Sequence, residues 1–188
     1  MKNLIVPHDP AWLSRFNDLK KMLRSILEDP EAEIQHVGST AIPGLCAKPI
    51  LDVDIVIKDK SLLSSFSDKL IRAGYIGKGD QGIPGRYAFR QSSPRTPCTD
   101  TSIVMQEHHL YICYSDSLAL KNHILFRDLL LRMPKLVREY SDLKTALANE
   151  KGMTREKYTQ RKTEFILSVL HSGGLQEKEL NEIKIANQ

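Results

Sequence analysis

His36-Val37-Gly38-Ser39-Thr40, a short interval, and then Lys48-Pro49-Ile50-Leu51-Asp52-Val53-Asp54-Ile55-Val56-Ile57 decide how this chain is read. The second part alternates as a strand does. Leu51, Val53, Ile55 and Ile57 take one face, so Asp52 and Asp54 share the other, about 6–7 Å apart at about 3.3 Å of rise per residue. Two carboxylates inside an apolar run need a cation or hydrogen bonds to offset their burial. Hard oxygen donors on a rigid strand suit Mg²⁺, which takes one or two carboxylates and keeps other positions for water and phosphate oxygens.

The first part supplies a complement. Residues 34–37 read as a short strand, and Gly38-Ser39-Thr40 as a tight turn. Gly38 allows close approach of the backbone to a ligand. The Ser39 and Thr40 hydroxyls and neighbouring amides are donors for phosphate oxygens, above all where a helix begins.

Val37-Gly38-Ser39, a spacer of Thr40 to Leu51, and Asp52-Val53-Asp54-Ile55 resemble the pattern of the polymerase-beta type of nucleotidyltransferase superfamily. The whole run from His36 to Asp52 resembles the signature of the GrpB family within it. Further similarity lies at Trp12 with Phe16, Tyr87 to Arg90, His108 to Tyr111, Phe126 to Leu130, Tyr140 to Lys144, Tyr158 to Lys162 and Phe165-Ile166. The resemblance implies an α/β (α+β) fold: a short mixed β-sheet with flanking helices and a C-terminal helical layer. It also implies metal-dependent transfer of a nucleotidyl group from a nucleoside triphosphate to an unidentified acceptor. Asp52 and Asp54 would hold Mg²⁺, or Mn²⁺. Gly38, Ser39 and Thr40 would cradle phosphate, and Lys48 and Arg90 would add positive charge. Arg127 would pair with a carboxylate or bind phosphate, and Lys144, Tyr158 and Lys162 would line the cleft.

In one respect the sequence departs from the superfamily. A third carboxylate normally comes from a later strand, where this chain offers His109 and Tyr111, with Glu107 as a substitute of the same parity. His109 is a metal ligand or general base by its chemistry, since imidazole titrates near pH 6.5. Two rival functions follow. One is a non-catalytic module that binds a nucleotide or coenzyme; some family members are fused to a dephospho-coenzyme A kinase. The other is a metal-dependent phosphoester hydrolase built on Asp52, Asp54 and His109, for which Mn²⁺ suits the imidazole better than Mg²⁺.

The rest of the chain sets bounds. Its 188 residues make one domain over residues 1–172, helical from about 117, with residues 173–188 a peripheral charged tail or helix. The composition is 41% hydrophobic and 27% charged, and the net charge of +4 does not by itself support a nucleic-acid partner. Cys46, Cys98 and Cys113 form no CxxC pair, which fits a reducing compartment. No signal-like or membrane-length apolar stretch occurs, so a soluble cytoplasmic protein is expected.

Asp9-Pro10 opens a helix carrying Trp12, Leu13, Phe16, Leu19, Leu23, Ile26 and Leu27 at helical spacing, an apolar stripe expected to pack on the sheet. Residues 60–73 read as a second helix, residues 74–85 as a glycine-rich loop, 86–91 as a strand and 92–102 as a loop. Residues 103–114 read as another strand. Three helices then follow, from Asp116 or Ser117 to Arg132, from Lys135 to Asn149, and from a Thr154 cap to Gly173.

Overall fold

The computed structural model describes residues 5–97 and 103–186. Cys98 and the far end of the 92–102 loop lie outside them. The elements run α1 (Ala11–Leu27), β1 (Glu33–Val37), β2 (Leu51–Ile57), α2 (Leu62–Arg72), β3 (Tyr75–Gly77), β4 (Arg86–Gln91), β5 (His108–Tyr114), α3 (Leu118–Arg132), α4 (Pro134–Asn149), α5 (Arg155–Ser172) and α6 (Glu177–Ala186). The strands form one mixed sheet in the order β1-β2-β5-β4-β3. Only β2 and β5 pair in parallel. A parallel pair needs a long crossover, supplied here by α2, β3 and β4.

Alternation along β2 separates two faces. Leu51, Val53, Ile55 and Ile57 are buried with Leu110 and Ile112 of β5 beneath α1 and α2. Trp12, Phe16, Leu19, Leu23 and Leu27, with Ile26 beside them, form the apolar stripe of α1 that closes this core, while Leu13, expected in the stripe, faces solvent. Burying each such side chain contributes about 1.5–3 kcal/mol. A second core holds the helical layer together around Phe126, Leu130, Tyr140, Val169 and Leu170. Between the two layers lies the opposite face of the sheet, which carries Asp52, Asp54, His109 and Tyr111. Helix α3 packs across part of it through Leu120 and Ile124 against Val56 and Cys113.

Local signals set most boundaries. Asp9 Oδ1 accepts from the Ala11 amide at 2.9 Å, Ser117 Oγ from Leu120 at 3.3 Å, and Thr154 Oγ1 from Lys157 at 3.2 Å. Pro134 occupies the first turn of α4, where its missing N–H is harmless. Three expectations need correction. The strand expected over 103–114 starts at His108, leaving Glu107 exposed before it. The loop expected over 74–85 opens with a three-residue edge strand, β3, made by pairing with β4. Of the peripheral tail or helix expected beyond 172 the helix forms, but it is not peripheral, since α6 buries Leu180 and Ile183 in the helical core and Leu175 joins them. No helix among the described residues is long and apolar enough to cross a membrane.

Candidate functional site

The register of β2 with β5 places Asp52 opposite His109 and Asp54 opposite Tyr111. His109 Nδ1 donates to Asp52 Oδ1 at 2.9 Å, and the side chains are 55% and 33% exposed. The hydrogen bond to Asp52, with its charge, holds the His109 imidazolium above the usual histidine range against the opposing effect of burial. Two residues along, His123 of α3 donates from Nδ1 to Asp54 Oδ2 at 2.8 Å. That carboxylate is fully buried, and its Oδ1 has no partner among the described residues. Burial pulls the His123 pKa down, but the charge and hydrogen bond of Asp54 outweigh it and the net shift is upward.

Gly38 stands hard against this pair. Its φ is +69°, and a Cβ there would lie 2.2 Å from Asp52 Oδ2. The glycine is therefore required by the aspartate as well as by the turn. Residues 39–41 make one turn of 3-10 helix, too short for an aligned dipole. Ser39 Oγ accepts from Lys144 Nζ at 3.0 Å, and Lys144 also donates to the Cys46 carbonyl. Lys144 is 2% exposed and sits 4.6 Å from the Tyr140 ring centroid. Burial lowers its pKa to about 7, and burial also lowers that of Lys162. Lys48 and Lys162 lie 5.9 and 5.4 Å from the Tyr158 ring centroid. Ser39, Lys48, Asp52, His109, Lys144, Tyr158 and Lys162 line one cavity of about 290 Å³. A second, of about 300 Å³, shares Ser39, Asp52 and Lys162 with it and runs past Gly38, Tyr111 and His123.

Gly38, Ser39, Lys48, Asp52 and His109 are thus together, and Thr40, Arg127 and Arg90 line neither cavity. The Thr40 side chain is buried, with Oγ1 3.0 Å from His36 Nε2 and donating to the Ile50 carbonyl at 3.4 Å. It braces the turn from inside and faces neither cavity. Arg127 donates to Asp128, Gln35 and the His36 carbonyl at 2.8–3.0 Å, which fastens α3 to β1. Arg90 is exposed in register with His109 and lines neither cavity. On the same strand Arg86 lies in register with Cys113, and its guanidinium lies 4.7 Å over the Tyr111 ring. The site residue that the sequence reading missed is His123. Its only local signal was a shared helix face with Arg127, which says nothing about Asp54.

The donor set can be tested against Mg²⁺. Each aspartate already has one oxygen bonded to a histidine, and Asp54 has no solvent access for a hydrated ion. Among the described residues no group of three or more His, Cys, Asp or Glu side chains is arranged to hold a metal. As arranged, a histidine holds one oxygen of each aspartate, so a Mg²⁺ ion on Asp52 and Asp54 would have to use their other oxygens or displace those bonds.

Comparison with known proteins follows the same lines. A family model described as GrpB protein matches residues 3–172. YqkA, a UPF0157 protein of Bacillus subtilis, is 31% identical over 162 residues, covering 86% of this chain and 44% of YqkA. The glutamate-rich protein GrpB of Alkalihalophilus pseudofirmus is 30% identical over 169 residues, covering 89% of this chain and 94% of that protein. Among solved structures, the conserved protein GrpB from Enterococcus faecalis superimposes with a TM-score of 0.74 at 26% identity, over 90% of this chain and 96% of that one. Cid1, described as an RNA terminal uridylyl transferase, superimposes with a TM-score of 0.57 at 18% identity, over 90% of this chain and 49% of Cid1. That last likeness is one of fold: the chain has the nucleotidyltransferase-like architecture.

Proposed function

The chain belongs to the GrpB protein family, and on that premise we propose that it binds a nucleoside triphosphate, or a related phosphate-bearing small molecule, in the cleft between sheet and helical layer. One observation carries this: Lys48, Lys144 and Lys162 converge on a cavity whose single carboxylate, Asp52, is already bonded to His109. Burying a cation without a matching anion is costly. The oxygens of a polyphosphate would supply that anion, and Ser39 lies beside the most buried lysine to orient it. Cid1 is a terminal uridylyl transferase, and the shared fold makes a triphosphate the first ligand to try. Binding is proposed ahead of metal-dependent transfer because His109 stands where a third carboxylate is expected and the two aspartates are engaged by histidines.

Hydrolysis of a phosphoester is the second reading, and a specific observation favours it. Asp52 fixes His109 through Nδ1, and Nε2 has no partner among the described residues. A carboxylate that orients an imidazole and leaves its other nitrogen free is an arrangement suited to general base catalysis.

The test is calorimetric titration of inorganic tripolyphosphate and of the four nucleoside triphosphates into wild type, Lys144→Met and Lys162→Met, in EDTA and in Mg²⁺. Binding is expected in EDTA, weakened about tenfold or more by either substitution, since a charge-assisted hydrogen bond contributes about 1.5–3 kcal/mol. No binding of any of these ligands to folded wild type overturns the proposal. A strict requirement for Mg²⁺ or Mn²⁺ that disappears in Asp52→Asn returns metal-dependent transfer to first place. Release of p-nitrophenol from bis(p-nitrophenyl) phosphate, lost in His109→Gln, would select hydrolysis.

A further inference from the structure

A cavity of about 470 Å³ lies beyond the lysine cleft and has no part in the reading above. Its walls are the end of the glycine-rich segment (Ile83 to Arg86), the start of α3, and Ile183 and Ala186 of α6. Gly85, at φ +75°, seals one side: a Cβ there would lie 2.8 Å from the Ser117 Cβ, so loop and helix cap close together only because residue 85 is glycine. Two features tie this cavity to the candidate site. Asn122 and His123 line both it and the cavity that runs past Gly38 and Asp52, which in turn shares Ser39, Asp52 and Lys162 with the lysine cleft. The three spaces therefore lie in a row with common walls, Asn122 and His123 between the first two and Ser39, Asp52 and Lys162 between the last two. Arg86 also lines the large cavity, and its Nε is buried without an acceptor among the described residues.

We propose that the large cavity is the second end of one elongated ligand site, and that it takes the nucleoside part of a nucleotide whose phosphates lie among Lys48, Lys144 and Lys162. This rests on the phosphate reading of the cleft and names what is attached to the phosphates. His109, near the start of β5, lines the basic end, and Tyr114, at its end and on the opposite face, lines the far cavity, five residues or about 16 Å of strand away. The chemistry agrees. The far walls mix apolar surface (Ile83, Pro84, Leu118, Ile183) with a few polar groups, as sites for flat, partly apolar ligands do. Asn122 offers an amide, and Arg86 an unsatisfied donor, to the carbonyl and ring-nitrogen acceptors of a base. Helix α6, beyond the residues matched by the family model, then forms part of the ligand site.

The experiment compares dissociation constants of inorganic tripolyphosphate and the four nucleoside triphosphates for the full chain and for two variants that spare the lysine cleft. Ala186→Trp fills the cavity from an exposed position, and Asn122→Ala removes the shared amide. At least one triphosphate is expected to bind about tenfold or more tightly than tripolyphosphate. Both variants should erase most of that surplus and leave the tripolyphosphate constant within about twofold, with thermal melting reporting that each is folded. If no triphosphate binds more tightly than tripolyphosphate, or if the surplus survives in both folded variants, this inference is overturned and the phosphate cleft stands. If tripolyphosphate itself fails to bind, the phosphate cleft falls and this inference with it.

Discussion

Asp52 and Asp54 stand two residues apart on one face of one strand, and a histidine Nδ1 grips each. Beyond that they are opposites. Asp52 meets His109 on the neighbouring strand, within the sheet, at the mouth of a cavity lined by three lysines. Asp54 meets His123 on α3, across the gap between layers, with no exposed surface at all. The difference teaches how one motif divides its duties. The open pair is held by a ladder that exists without it, so its chemistry is free for a ligand. The buried pair is one of the joins between sheet and helices, beside Arg127 and the contacts of Leu120, and its loss leaves a charged group without a partner inside the protein.

The sharpest way to break that contrast is to remove each carboxylate in turn. Asp54→Ala strands His123 and should lower the unfolding free energy by about 3 kcal/mol or more, the range for losing one partner of a buried ion pair. Asp52→Ala should cost about 1 kcal/mol or less, as exposed pairs do. Urea unfolding measures both, and equal losses would erase the distinction. Next comes Gly38→Ala. A positive φ and a collision with Asp52 together should cost about 2 kcal/mol, and pairing with Asp52→Ala should recover part of it.

Acidity offers a gentler probe. A histidine with a raised folded pKa contributes stability that is fully present below its unfolded value, about 6.5, and lost as pH rises through the folded value. Both paired histidines are of this kind. Stability should therefore decline on the alkaline side of about pH 6.5, and Asp54→Asn should remove more of that decline than Asp52→Asn. The acid side belongs to other groups. Burial holds His36 and His108 down to about 4, so the unfolded chain takes up their protons first and stability falls as pH drops from about 6.5 towards 4. The smallest expected effect concerns binding alone. Lys144 titrates at about 7, so tripolyphosphate should bind several-fold more tightly at pH 6 than at pH 8, and Lys144→Met should flatten that dependence in a calorimetric titration.

Much of this was legible because alternation along a strand is a local property. Residues 51–57 declare two faces by themselves, and Asp52 and Asp54 could be put on one of them without knowing any partner. The partners were not legible. His109 meets Asp52, and His123 meets Asp54, through a register and a layer packing that no short window of sequence contains. Arg86 and Arg90 have the same parity on β4, but only the antiparallel register with β5 sets Arg90 beside His109 and Arg86 beside Cys113. Thr40 read as a phosphate donor because its hydroxyl is the right kind; the turn rotates it onto His36 instead. In α6 a surplus of charge concealed Leu180 and Ile183, spaced three apart, which dock it on the helical core.

The distances in sequence across the cleft carry one more consequence. Asp52 reaches His109 over 57 residues, Asp54 reaches His123 over 69, and Ser39 reaches Lys144 over 105. Closing each of those loops is an entropic cost met only when the chain between them is in place. A partly folded chain therefore has no cleft, and any ligand that occupies it reports on the whole native molecule. Its binding free energy adds to global stability by mass action and is absent from every species short of the complete fold.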